Sequence, residues 1–343
     1  MSSLEIMLRN VHFNYPERIG LRFDRIAKIG DVKRIFVLPA REGRDPTRTY
    51  SMSKKVRPVE GYTDEWGCFW TSKDDSGGDM GQVINVPLAD WNDFDNFVWP
   101  DPYAEGRWDG IENALEEADK RQLYVQLNSP HCIFERMHFL HGFEDTLVDC
   151  MINQDHIAKL ARKLADFQIG IIERGYRLGQ SRINCYDTTD DWGTQSQLMM
   201  NPEIFRKIFK PEYKRIFDKA HECGMDVRFH TDGKVNEIIE DLIEIGVNIL
   251  NIHQPRLVGI DEMSEIARGR VCFEAAVDIQ STLPTCDYDR IEEEVKELCE
   301  KWNTPKGGLI GVEYGYPSAI GTTKEAILYS LEMFQKYGMQ ISY

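Results

Sequence analysis

No apolar run in this chain approaches the roughly 18 residues that a membrane-spanning helix requires. No C-x-x-C pair occurs, and no G-x-G-x-x-G turn, Walker-type loop or G-x-S-x-G elbow stands at a strand end. These absences argue against a membrane span, a nucleotide cofactor and serine hydrolysis. The opening residues, MSSLEIMLRN, carry no basic region followed by an apolar stretch, so no secretory signal is expected. Positive charge is in short supply: 41 Lys and Arg against 57 Asp and Glu leave a formal charge of -16. That balance repels nucleic acid and anionic membranes and makes neither an expected partner. It is compatible with a homodimer without requiring one. The eight cysteines, at 68, 132, 150, 185, 223, 272, 286 and 299, are scattered. In a chain of 343 residues they read as reduced thiols of a cytoplasmic protein, not as a disulfide framework.

What is present is an alternation. From about residue 123 onward, short β-rich runs and long amphipathic stretches follow one another, the pattern of βα units around a parallel sheet. Strands are expected near 123–127, 182–187, 226–230, 247–251, 270–275 and 308–313, with helices near 155–176, 202–223, 234–245, 260–268, 288–302 and 323–337. Asn201-Pro202 and Thr322 or Thr323 supply helix starts, and Gly224 and Gly246 supply stops. Two further strands, from the apolar runs 19–23 and 35–38, complete eight. The expected fold is α/β: a (β/α)8 TIM barrel forming one domain over residues 1–343, since such barrels need about 250 residues. Residues 1–120 hold the first strands and an extension covering the barrel; 121–343 carry the main repeats. The extension has a Gly/Asp-rich loop at 74–81 and tryptophans at 66, 70, 91, 99 and 108.

Strands buried on both faces usually read as continuous apolar runs, but these alternate. Val227 and Phe229 oppose Arg228 and His230; Val271, Phe273 and Ala275 oppose Arg270, Cys272 and Glu274; Ile183 and Cys185 oppose Arg182, Asn184 and Tyr186. If the apolar face meets the helices, the polar face points into the barrel, where each polar group needs a partner, water or ligand. One reading of that face is a structural network, for example Arg228 with Glu274. The other is a hydrated pocket at the strand ends, where barrel active sites sit.

The strand ends supply Asn128, Asp187, Asp190, Asp191, His230, Asp232, His253, Gln254, Glu274, Asp278, Gln280, Glu313 and Tyr314. His230 and Asp232 can aim at one point because Gly233 lets the chain turn. With a third ligand from a distant strand, such as Glu313, they would form an N/O site suited to Zn²⁺ with an open position. The alternative is a His230 hydrogen-bonded inside the barrel and an Asp232 that caps the following helix. Asp191 is a candidate acid or base. Tyr186, Trp192, Gln195, Glu274, Asp278 and Tyr314 are candidates for holding substrate, with Tyr186, Trp192 and Tyr314 as walls of a flat apolar pocket. Cys272 reads as inert packing, as do His138 and His141 in the stretch that also holds His131.

These motifs, in this order, resemble the uroporphyrinogen decarboxylase-like superfamily. The matching segments are Tyr62–Cys68 (YTDEWGC), Asp190–Gly193 (DDWG), Asn201-Pro202, Phe229–Gly233 (FHTDG), 239–255, Val277–Gln280 (VDIQ), Gly307-Gly308 and Thr323–Glu325. The resemblance spans roughly residues 15–340 and implies the same barrel. Uroporphyrinogen decarboxylases proper carry a segment of the form M-R-Q-A-G-R-Y, which is absent here; Arg41 and Arg44 stand in an unrelated context. A second branch passes methyl groups between small molecules and a corrinoid protein with the help of Zn²⁺, some members using His-x-Cys and a distant Cys. This chain has Asp232 and Glu313 near those cysteine positions. The resemblance thus implies catalytic His230, Asp232, Asp191 and Glu313, with His230, Asp232 and Glu313 on the metal. It also implies an oxygen-rich, harder Lewis acid suited to an ether oxygen. The implied activity is O-demethylation: a methyl group moves from a small methoxylated aromatic to the Co(I) corrinoid of a partner protein. Substrate is expected between Trp192 and the Tyr314 region. Two alternatives stay open: a carboxy-lyase of a small organic acid with Arg182 or Arg228 as carboxylate clamp, and a non-catalytic ligand-binding member of the fold.

Overall fold

In a computed structural model of the chain, residues 1–40, 61–71 and 81–339 are described. Most of the 74–81 loop, and Arg41 and Arg44, lie outside them. Eight parallel strands form the barrel: β1 (Gly20–Phe23), β3 (Val32–Phe36), β7 (Tyr124–Asn128), β8 (Cys185–Thr189), β9 (Asp226–His230), β10 (Ile249–Ile252), β11 (Cys272–Ala275) and β12 (Leu309–Val312). The hydrogen-bonded order runs β1-β12-β11-β10-β9-β8-β7-β3, and a two-residue strand β2 (Ile29–Gly30) lies antiparallel on β1. The fold is the expected (β/α)8 barrel.

Between β1 and β3 the ring is closed by one residue instead of a ladder. Asp31 donates its backbone N–H to the Leu21 carbonyl (2.8 Å) and accepts the Tyr124 N–H (2.9 Å). Its carboxylate accepts the Leu21 N–H at 2.9 Å and a two-pronged contact from Arg18 at 2.7 Å on each oxygen. A buried acid with this many donors stitches the seam without leaving an unpaired charge.

The interior is layered. At the bottom Val32, Tyr124, Cys185, Ile249, Cys272 and Ile310 meet Met7 and Val11 of helix α1 (Ser3–Val11), which plugs the barrel. Above them lies a charged layer. Glu274 accepts from the Nε of both Arg22 and Arg228, and Arg228 reaches Asp187 at 2.5 Å. Asp187 also takes the Asn128 amide at 2.8 Å. All four ionic side chains are buried. Burial alone would neutralise the Glu274 carboxyl, but the two guanidinia outweigh it and hold the group at about 2.

Outward-facing strand residues such as Val227, Phe229 and Phe273 pack against the helices in the main core. The 202–223 helix is broken: α6 (Pro202–Ile204) passes through a π-turn over Phe205–Phe209 into α7 (Lys210–Glu222). The fourth strand begins later than its apolar pattern suggests. Gln180–Arg182 is a 3-10 turn, and the strand starts at Cys185. Its facing is therefore the reverse of the expectation: Cys185 and Asp187 point inward, and Tyr186 points outward into the helix layer. The extension holds a small antiparallel sheet of β4 (Gly61–Thr63), β5 (Phe69–Thr71) and β6 (Gln82–Val83). Trp66 presses it onto Phe167 of helix α5 (Gln154–Gly179), with ring centroids 4.8 Å apart.

Removing one member of the charged layer leaves its partners uncompensated in a dry interior. Glu274→Ala should therefore destabilise the fold by about 3–5 kcal/mol in urea unfolding. A loss within experimental error of zero would mean that Arg22 and Arg228 find other counter-charges.

Candidate active site

The loops that follow β8 and β9 are locked together before any chemistry is considered. Gly193 and Gly233 pass backbone to backbone: a Cβ on Gly233 would lie 2.3 Å from the Gly193 carbonyl, and Gly233 has φ +88°. A Cβ on Gly193 would lie 2.5 Å from the Gly233 carbonyl carbon. This close approach is the physical reason for the two glycines in DDWG and HTDG. It also sets Asp191 against the start of the second loop, where its Oδ1 accepts the Asp232 N–H at 2.9 Å.

At the top of β9, His230 Nδ1 lies 2.7 Å from Asn251 Oδ1. The Asn251 amide nitrogen donates to the Glu274 carbonyl (2.9 Å), which fixes its oxygen as the acceptor toward the imidazole. His230 Nδ1 therefore carries hydrogen, and Nε2 faces the mouth. Asp191 Oδ1 and Asp232 Oδ2 each stand 3.7 Å from that Nε2. Burial opposes the imidazolium, but Asp232 and Asp191 outweigh it and raise the His230 pKa. Asp232 is pushed up to about 6, chiefly by burial.

The third member of this group is His253, just past β10. Its ring centroid lies 4.7 Å from that of His230, and ligand atoms of His230, Asp232 and His253 all fall within 4.8 Å of one another. Burial and the neighbouring His230 hold His253 neutral. Its Nε2, and Oδ1 of Asp232, are buried without hydrogen-bond partners. An unpaired carboxylate oxygen and an unpaired imidazole nitrogen beside an oriented second imidazole form the donor set that an N/N/O cation site requires. His230 and His253 line a cavity of about 170 Å³ together with Arg25, Arg34, Thr189, Glu313, Tyr314 and Tyr316. Tyr314 stands edge-on to His253 at 5.8 Å.

Several expected site residues serve elsewhere. Glu313 borders the cavity, but its oxygens accept the backbone N–H groups of Arg25 and Ile26, anchoring the loop after β1. The metal-capable cluster contains His253 in its place. Glu274 is consumed by Arg22 and Arg228 in the layer below. Tyr186 faces the helices and donates to Gln168 at 2.8 Å. Trp192 is wholly buried among Phe134, Phe205 and Phe209, so it walls the core and not a substrate pocket. Asp278 staples its own loop, accepting from Gln280, Ser281 and Arg256 backbone N–H groups. Gln195 lies on an exposed turn. Of the two clamp candidates, Arg182 pairs with Glu112 outside the barrel and Arg228 is locked between Glu274 and Asp187.

Beside the mouth, under the extension, lies a second cavity of about 340 Å³ lined by Tyr62, Trp66, Trp70, His131, Arg136 and Phe167 among others. Glu135 stands between the two cavities. It accepts from Thr189 Oγ1 at 2.9 Å, and its other oxygen lies 3.3 Å from His131 Nδ1. Burial, reinforced by Asp191, pushes its pKa to about 8, so it keeps its proton at neutral pH. Asp190 below it accepts the N–H groups of Ile133, Phe134 and Glu135 and the Tyr213 hydroxyl, fixing the start of helix α3 (Phe134–His141). Sequence reasoning did not single out Glu135, because nothing in S-P-H-C-I-F-E marks it. His253 had a usable signal: Asn251 pairs in register with His230, so His253 emerges just above it on the next strand.

Fold and mouth together define a (β/α)8 barrel with a polar cavity at its strand ends and clustered imidazole and carboxyl groups on one wall. The chain belongs to the uroporphyrinogen decarboxylase family, whose model, described as Uroporphyrinogen decarboxylase (URO-D), matches residues 75–329. No curated protein matches it. Among solved structures, a methyltransferase from Methanosarcina mazei superposes with a TM-score of 0.58 at 15% identity, over 79% of this chain and 76% of that one. That likeness is one of fold. A GH10 endoxylanase from a sugarcane soil metagenome reaches a TM-score of 0.43 at 10% identity, over 68% of this chain and 84% of its own. Among the described residues no helix is long and apolar enough to cross a membrane.

Two predictions follow from this geometry. Gly233→Ala forces the two loops apart; stability should fall by about 1–3 kcal/mol, and a variant as stable as wild type would show that the contact is slack. The second concerns pH. Folded Glu135 holds its proton to about pH 8, whereas the ordinary value is 4.5. Between those limits the folded state binds more protons than the unfolded one, so this group makes stability fall as pH rises through that window. Glu135→Gln should flatten that part of the stability profile, and an unchanged slope would mean that Glu135 is already ionised.

Proposed function

We propose that this protein is a methyltransferase that takes a methyl group from a small methoxylated aromatic and delivers it to the Co(I) corrinoid of a partner protein, an O-demethylation. The observation that carries the reading is the clustering of His230, Asp232 and His253, whose ligand atoms lie within 4.8 Å of one another beside the cavity that His230 and His253 line, with Asp232 Oδ1 and His253 Nε2 unpartnered. Two imidazoles and a carboxylate suit Zn²⁺ with an open position. Held there, the ion would act as a Lewis acid on the donor's ether oxygen. Family membership and the fold shared with a methyltransferase support the class of reaction; the oxygen-bearing donor set supports an ether over a thioether.

The chain's own residues would do the rest. Asn251 orients His230 so that Nε2 faces the mouth. Asp191 holds the Asp232 backbone from the adjoining loop. Loss of the methyl cation equivalent would leave an aryloxide that needs a proton, and Glu135, which keeps its proton at neutral pH and is hydrogen-bonded to the cavity-lining Thr189, is a buried acid placed to supply one through that hydroxyl. Tyr314 offers a wall for the ring. The carboxy-lyase alternative loses its expected clamps, since Arg182 and Arg228 are both engaged elsewhere.

Protein purified without chelator should carry about one zinc per chain. His253→Ala should lose it, and Glu313→Gln should retain it. Adding a methoxylated aromatic to the protein with a reduced corrinoid protein should convert the Co(I) absorption spectrum to that of methyl-Co(III). Absence of that change across a panel of methoxylated aromatics, with zinc bound, overturns the reading.

A further inference from the structure

The cavity under the extension, about 340 Å³, is distinct from the mouth: among the described residues, the two share no lining side chain. Small-molecule sites begin at about 300 Å³, and roughly 150 Å³ is enough for a benzene ring. Its aromatic walls are already fixed. Trp66 stands edge-on to Phe167 and Trp70 edge-on to Phe139, with centroids 4.8 and 4.9 Å apart. Asp64 takes the Trp70 indole N–H at 2.8 Å, so that ring meets the cavity with its polar atom satisfied.

The charges on these walls cancel in pairs. Arg136 reaches Asp64 at 3.2 Å, and Arg107 pairs with Glu65 through both of its terminal nitrogens. A charged ligand would have to break one of these pairs and shed its own hydration on entry. Ser129 is spent as well, donating to Gln168 at 2.7 Å. His131 stands apart. It holds φ +58°, a left-handed backbone rare for a residue with a side chain, and its N–H is pinned to Thr189 Oγ1 at 3.0 Å. Its Nδ1 is buried without a hydrogen bond, 3.3 Å from the Glu135 carboxyl. Burial, helped by Arg136, lowers the His131 pKa to about 4, so the ring is neutral at pH 7. Beside a carboxyl that keeps its proton, Nδ1 is the acceptor nitrogen and the hydrogen belongs on Nε2, at the opposite ring edge.

We infer that this cavity is a binding site for a neutral, flat aromatic molecule of one substituted ring or two fused rings, carrying an acceptor oxygen that meets the His131 ring. Trp66, Trp70 and Phe167 supply rigid walls for the ring, and His131 supplies the polar contact that orients it. The inference goes beyond the methyl-transfer reading and does not rest on it.

Calorimetric titration with acetophenone, a flat neutral ring bearing one carbonyl oxygen, tests this without turnover. One molecule should bind per chain with a Kd at or below about 1 mM. Cyclohexyl methyl ketone keeps the oxygen and loses the flat ring; toluene keeps the ring and loses the oxygen. Each should bind at least about tenfold more weakly. Leu164→Phe fills the cavity from helix α5 and should abolish acetophenone binding. His131→Gly removes the imidazole at a backbone that glycine favours, so it should fold and weaken acetophenone by about tenfold. Tyr314→Ala, at the mouth, should bind acetophenone as wild type does. No binding by wild type at about 1 mM overturns the inference, as does binding that survives both Leu164→Phe and His131→Gly. Binding lost in Tyr314→Ala also overturns it, because the ligand would then sit at the mouth. Neither zinc nor a corrinoid protein enters the titration, so its failure leaves the methyl-transfer reading standing, and failure of the corrinoid assay leaves this site standing.

Discussion

Glu274, caught between the guanidinia of Arg22 and Arg228 in the middle of the barrel, is the contact on which the mouth depends. It joins three strands that are distant in sequence, and Arg228 extends the chain to Asp187 on a fourth. An ion chain of this kind does not earn its place through net stability, since well-packed apolar residues could match it. What it does is hold β1, β8, β9 and β11 in one register from inside, because each charge must stay within reach of its partner. Asn251 adds the Glu274 carbonyl to this frame and passes the constraint up to His230.

Above the charged layer, the two glycine-to-glycine loops and the Asp191 contact to the Asp232 backbone set where the carboxyl groups stand relative to the imidazoles. The geometry of the mouth thus follows from backbone packing, and its electrostatics from burial. Asp232 and Glu135 are pushed up, His253 is held neutral, and His230 is drawn toward its charged form by the acids beside it.

The barrel was legible because eight short strands alternating with amphipathic helices leave few other ways to bury one face of each. The inward polar faces of β9 and β11 were legible too, since Arg228, His230 and Glu274 alternate with valine and phenylalanine. The facing of β8 was not: the apolar pair Ile183 and Cys185 suggested one strand, but a 3-10 turn ends on Arg182, the strand starts only at Cys185, and Cys185 packs inside the barrel while Ile183 packs in the main core. Trp192 misled for a related reason. A tryptophan after a strand end can wall a pocket or fill a core, and only the π-turn that brings Phe205 and Phe209 around it decides.

The sequence by itself determined the class of fold, the polarity of its interior and the nearness of His230 to Asp232, because all three follow from local spacing and strand periodicity. Which third group joins them was decided by tertiary structure. Glu313 and His253 both end barrel strands, but backbone N–H groups of the Arg25–Ile26 turn claim one while no partner claims the Nε2 of the other. Competition for hydrogen-bond partners is settled in three dimensions, between residues hundreds of positions apart, and periodicity carries no record of it.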